Sequence, residues 1–157
     1  MITPAKHFEY AVGYLQLGLI AEARAELAGL TSEVLATPAA LSLRQEIAMA
    51  DSAWPEVVDL APALVAHDNT DERPWIAWAY ALRELQRIEE AREILLTGAR
   101  LIHKPTLVVA YNLACYACLL GDLPEARRLL NAVIAEDESW RQVAREDDDL
   151  AALHAKQ

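Results

Sequence analysis

A glutamate followed by a small or apolar residue recurs along this chain, at Glu22-Ala23, Glu56-Val57, Glu90-Ala91 and Glu125-Ala126, at intervals of 34, 34 and 35 residues. Self-similarity at this period constrains the fold more than any other property of the sequence. A unit of this length holds two helices and a turn, yet cannot shield its own apolar face, so units must stack on neighbours. Apolar residues recur at three- and four-residue steps through nearly the whole chain and no run alternates like a strand, which predicts an all-α protein.

The punctuation agrees with the period. Thr3-Pro4 and Thr37-Pro38 each read as an N-cap followed by the first helical residue, where the hydroxyl accepts an orphan amide and proline loses no hydrogen bond. Thr106 is expected to cap likewise, and Asp71 to start a third long helix with Pro74 inside its first turn. First helices are predicted over 4–17, 38–50, 72–85 and 106–120, with breaks at Gly18, Ser52, Gln86 and Gly121-Asp122. Second helices follow over 20–30, 54–66, 88–101 and 123–136. Breaks this short force antiparallel neighbours. The expected organisation is a single domain over 1–157, with repeats at 4–36, 38–70, 72–104 and 106–137 and a cap at 139–155.

The recurring glutamate falls in the first turn of each second helix, where a carboxylate meets unpaired amides and the positive end of the helix dipole. Asp122-Leu123-Pro124-Glu125 reads as a capping-box variant and Ser139-Trp140-Arg141-Gln142 as a second box opening the cap. Trp140, Val143, Leu150 and Leu153 are expected to cover the last hairpin. Ala11, Ala79 and Ala114 share one small site in the first helices, and Ala23, Ala91 and Ala126 another in the second. The second unit places Gln45 and Val57 there, so either its helices stand slightly apart or the register shifts by one residue.

This pattern resembles the tetratricopeptide repeat family over residues 4 to 136. The fourth unit carries the resemblance best, through Tyr111-Asn112-Leu113-Ala114-Cys115-Tyr116 and Leu120-Gly121-Asp122-Leu123-Pro124-Glu125-Ala126. The third follows with Trp75, Trp78-Ala79-Tyr80, Glu90-Ala91 and Leu95, then the first with Tyr10-Ala11, Tyr14, Gly18 and Glu22-Ala23. The resemblance implies a TPR-like α-α superhelix, a solenoid of four helix–turn–helix repeats plus a C-terminal capping helix. It also implies a protein–protein interaction module, an adaptor or scaffold that binds a peptide or protein segment in a concave groove lined by first helices. The groove residues it implies are Phe8, Val12, Leu15, Met49, Arg73, Ile76, Tyr80, Arg83, Val108, Tyr111 and Asn112. One branch of the family clamps acidic chaperone tails with paired basic residues and asparagines. Phe8 and Val12 stand where that clamp needs Lys and Asn, so no such binding is expected.

Charge narrows the partners. A net charge of −10 opposes nucleic-acid binding, including by a helical RNA reader, which needs a basic inner face. Acids cluster between Glu136 and Asp149 and read as a solvated surface, with contact to a basic partner as the alternative. The stretch from Leu107 to Leu120 is uncharged but too short to cross a bilayer, and reads as a buried helix. The start Met1 to His7 lacks the pattern of a secretory leader, so a cytoplasmic protein without membrane contact is expected. Cys115-Tyr116-Ala117-Cys118 has the spacing of a redox or zinc half-site but sits in mid-helix, and His7, His67, His103 and His154 are scattered singly. Structural cysteines, no metal, no cofactor and no enzyme activity are therefore expected. Alternatives to the adaptor are a self-assembling homo-oligomer and a secretion-type chaperone.

Overall fold

The computed structural model describes residues 2–154; Met1, and residue 155 of the expected cap, lie outside them. The described residues contain helix and turn but no strand. The chain divides into two compact units, Met1–Asp68 and Asn69–Gln157, and the division falls at a junction between hairpins.

The N-terminal unit contains α1 (Pro4–Gln16), α2 (Ile20–Ala28), a short α3 (Ser32–Leu35), α4 (Pro38–Ala50) and α5 (Trp54–His67). Helices α1 and α2 pack as one hairpin and α4 and α5 as another, with α4 also touching α1 and α2. The single turn α3, capped by Thr31, was not foreseen. The C-terminal unit contains α6 (Glu72–Glu84), α7 (Ile88–Leu101), α8 (Leu107–Leu119), α9 (Leu123–Glu136), α10 (Trp140–Glu146), a 3-10 turn (Asp148–Leu150) and α11 (Ala151–His154). Its hairpins are α6–α7 and α8–α9, with α7 packed on α8.

Each hairpin is punctuated in the same way. Thr3, Thr37 and Asp71 accept a backbone amide at the start of the first helix. Thr106 holds the fourth equivalent position but makes no side-chain cap; its own amide donates instead to the Glu72 carboxylate at 2.8 Å. At the turn, Gly18, Ser52, Gln86 and Gly121 all have positive φ, between 54° and 80°. The amide after each reaches back five residues, Leu19 to Tyr14, Ala53 to Ala48, Arg87 to Leu82 and Asp122 to Ala117. This Schellman closure satisfies carbonyls at the helix end and reverses the chain. It recurs at the same intervals as the glutamate, and at Ser52 and Gln86 it holds a non-glycine residue in the left-handed region, where the backbone is strained by order of 1 kcal/mol.

The small sites behave as the period requires. Ala11, Ala23, Ala79, Ala91, Ala114 and Ala126 are fully buried, and so is Val57. Gln45 is buried as well, so the register holds in the second hairpin, at the cost of an Nε2 with no partner. A different compensation operates in the third. A Cβ on Gly98 would lie 2.7 Å from the ring of Trp75, so the bulk in α6 requires its absence in α7. The Trp75 indole N–H then donates to the Asn69 carbonyl at 3.0 Å, satisfying its polar edge.

Both predicted capping boxes differ from expectation. Asp122 does accept the Glu125 amide, but the Glu125 carboxylate turns to Arg128 rather than back to the cap, because a guanidinium fork offers a charge-assisted pair. Ser139 makes no side-chain cap; its amide and hydroxyl both donate to Asp137 Oδ1, forming an Asx turn that starts α10. Ala144, Leu150 and Leu153 cover the last hairpin, while Val143 points outward and is about half exposed. No described helix is long and apolar enough to cross a membrane, and the apolar run of α8 is buried as read.

Candidate functional site: the first-helix face of the C-terminal unit

The implied groove residues do not share one fate. In the N-terminal unit, Phe8 and Leu15 pack against the core formed by Ala11, Ala23, Leu27, Leu43 and Ile47. Val12 stays 41% exposed and Met49 is half-buried. In the C-terminal unit Arg73 folds back on Asp71 at the start of α6, away from the turn at the helix's other end. Ile76 is half-buried and Val108 is exposed. Tyr80, Arg83 and Asn112 converge on a cavity of about 200 Å³, with Cys115 and Tyr116 in its wall. Tyr111 is buried beside it, a correction to its reading as an open groove residue.

The reason for that burial is the acidic segment. Asp147 and Asp149 were expected among the solvated acids, yet both complete the cavity wall. Arg83, in the last turn of α6, donates Nε to Asp149 Oδ2 at 2.9 Å and Nη2 to Oδ1, a bidentate fork. Its Nη1 also reaches Glu84 at 3.1 Å. Tyr111 donates its hydroxyl to Asp147 Oδ2 at 2.6 Å, and the Cys115 thiol donates to the same oxygen at 3.7 Å. Asp147 Oδ1 accepts the amide of Asp149 at 3.0 Å, which shapes the 3-10 turn. Leu150, fully buried, anchors the segment, and the Trp140 ring packs at a tilt on Tyr111, their centroids 4.7 Å apart. Opposite charge and one apolar plug thus outweigh solvation of the two acids.

These contacts set the chemistry of the wall. The carboxylate of Asp149 holds Arg83 firmly charged, well above even its ordinary range. Burial, reinforced by Asp147, pushes the Tyr111 hydroxyl and the Cys115 thiol upward, and burial does the same for Tyr116. The Cys118 thiol is raised by burial too. Both cysteines are buried free thiols held in their protonated form, the opposite of a reactive pair. The Tyr116 hydroxyl is buried with no partner among the described residues.

Cys115 and the carboxylates of Asp147 and Asp149 offer ligand atoms within 4.8 Å of one another. A thiolate is needed for a metal bond, and here every potential ligand already holds or receives a hydrogen bond. An ion would have to displace Arg83 and Tyr111. The spacing of Cys115 and Cys118 alone could not reveal this trio, because Asp147 and Asp149 come from more than twenty-five residues away. What the arrangement does directly is hold a short stretch of polypeptide by its carboxylates.

No family model matches the chain, and no curated protein matches it significantly.

Proposed function

We propose that the chain is a protein–protein interaction module of the tetratricopeptide kind: a TPR-like α-α solenoid of four repeats with a C-terminal cap, working in the cytoplasm as an adaptor or scaffold. The reading rests on the repeat itself. N-cap positions, left-handed turn residues, first-turn glutamates and buried packing sites, small in three of the four units, all recur at the same intervals. One observation supports peptide binding above all: the face of α6 and α8 already carries a peptide segment, residues 147–150, gripped by Arg83, Tyr111 and Cys115. Tyr80 and Asn112 line the remaining space and supply a half-exposed aromatic and an amide for further contacts. Binding rather than catalysis fits a wall whose thiols and phenols stay protonated. A groove of this sort recognises side-chain anchors and carboxylates, as helix-lined surfaces commonly do.

The test is retention of one defined partner by immobilised protein, identified by mass spectrometry. Tyr80→Ala and Asn112→Ala should each weaken retention about tenfold, as for an interface anchor, while Leu96→Ala, exposed on α7, should not. Equal retention by all variants would remove the groove from the account.

Self-assembly is the second reading, favoured by a separate observation. In the N-terminal unit Tyr10, Val12, Leu17 and Leu19 are each 40% exposed or more. If they join two copies, Val12→Lys lowers the mass seen by light scattering at the highest concentrations.

A further inference from the structure

The C-terminal unit carries a second cavity, of about 250 Å³, lined by Arg127, Asn131, Arg141, Arg145 and His154 over an apolar floor that includes Leu130 and Ala144. In a chain of net charge −10, no carboxylate among the described residues lines it. Most arginines here are tied to an acid, among them Arg24, Arg73, Arg83, Arg87, Arg92 and Arg128. Arg127 and Arg145 form no ion pair within 4 Å among the described residues, though Arg145 acts through space on the exposed Glu138, and both stand around the same hollow. Arg141 shares its guanidinium with the exposed Glu138. The ring of His154 is fixed in the wall, its Nε2 lying 3.0 Å from the Ala144 carbonyl oxygen. A carbonyl oxygen can only accept, so Nε2 carries the proton.

Two guanidiniums without a close ion pair and a third shared with Glu138 gather positive charge around this one hollow. From this we infer that the hollow between α9 and α10 is a binding site for a phosphomonoester dianion. The geometry separates phosphate from carboxylate. A carboxylate offers two coplanar oxygens and suits one fork, whereas a phosphate offers three oxygens in a tetrahedral array and can engage forks arriving from two different helices. The charge of two unpaired arginines matches the dianion. The remaining volume, beside Asn131 and Ile134, is available to the organic part of the ester. The site is independent of the peptide-binding face: it shares no lining residue with the cavity around Arg83.

Isothermal titration calorimetry on the whole chain with glycerol 2-phosphate and with a phosphoserine peptide tests it, with inorganic sulfate and the unphosphorylated peptide as controls. Saturable binding of either phosphate ester, weakened about tenfold or more by Arg127→Gln and by Arg145→Gln, supports the site. Binding of both assigns it to phosphomonoesters at large, and binding of the peptide alone assigns it to a phosphorylated protein. Arg100→Gln, an exposed arginine on α7 outside the hollow, should leave the affinity unchanged. No binding of either ester, equal binding of sulfate, or an equal loss in Arg100→Gln would overturn the inference. Both test arginines are exposed and make no ion pair among the described residues, so the variants keep the fold, which circular dichroism verifies.

Discussion

The two units are built from the same hairpin, yet their first-helix faces end in opposite states. Val12 and Glu46 in the N-terminal unit occupy the register positions that Tyr80 and Cys115 occupy in the C-terminal one, and both are exposed. Tyr80 is about as exposed as Val12 but, with the buried Cys115, borders a cavity that the chain's own Asp147 and Asp149 help to line. Leu15 and Met49 correspond to Arg83, which alone of the three carries a charge able to seize that segment. A shared backbone period therefore fixes where the helices go and leaves the chemistry of their faces to a few variable positions. In the C-terminal unit those positions recruit a polypeptide segment; in the N-terminal unit they do not.

The largest effect expected from breaking this comparison comes from the small sites that both units share. Ala114→Leu and Ala11→Leu should each lower unfolding free energy by about 1–3 kcal/mol through overpacking, read from urea denaturation. Because Ala114 directly precedes Cys115, which contacts Asp147, its variant should additionally expose that thiol, whereas Ala11→Leu should not. Gly98→Ala should destabilise by a similar about 1–3 kcal/mol despite alanine's better helix propensity, since the new Cβ would meet the Trp75 ring.

Alkaline stability distinguishes the units next. Tyr111, Tyr116 and Cys115 all lie in the C-terminal unit, and their folded pKa values are raised above the ordinary 10 and 9 chiefly by burial. Their neutral forms are favoured in the fold, so this contribution is complete below pH 9 and is lost as pH climbs towards the folded values. Unfolding free energy should fall above about pH 9, by up to about 1.4 kcal/mol per pH unit for each group released. Tyr111→Phe should flatten that slope. Thiol titration at neutral pH should find both cysteines unreactive until denaturant is added.

The smallest effect concerns the second hairpin. Gln45 sits where the other three units place alanine and leaves a buried amide unpaired. Gln45→Met keeps the volume and removes the orphan donor, so it should raise stability by about 1 kcal/mol. A loss of stability would mean that the amide has a partner after all.

Most of the fold was legible because its determinants are local and repeated. Cap threonines, turn residues and first-turn glutamates act within a few residues of themselves, and their recurrence located eight helices to within about two residues at their ends. The capping boxes were misread because glutamate and serine found stronger local partners, Arg128 and Asp137, that a cap motif does not consider. The site was only half legible. Tyr80, Arg83 and Asn112 follow from the repeat register, but Asp149, which pairs with Arg83, and Asp147 beside it belong to a run whose composition alone reads as solvated surface. Whether an acidic run faces water or an arginine depends on where the chain returns after α10, a non-local fact. The basic hollow was missed for the same reason, since Arg127, Arg141 and Arg145 are met in the sequence among eight nearby acids.

The central claim, that the acidic segment is seated on the first-helix face as a bound peptide would be, is tested most directly by a double-mutant cycle between Arg83 and Asp149. Unfolding free energies of Arg83→Ala, Asp149→Ala and the double variant should give a coupling of about 1 kcal/mol or more, as for a partly buried bidentate pair in contact. Additive losses, with no coupling, would mean that the segment does not rest on Arg83 and would contradict the account.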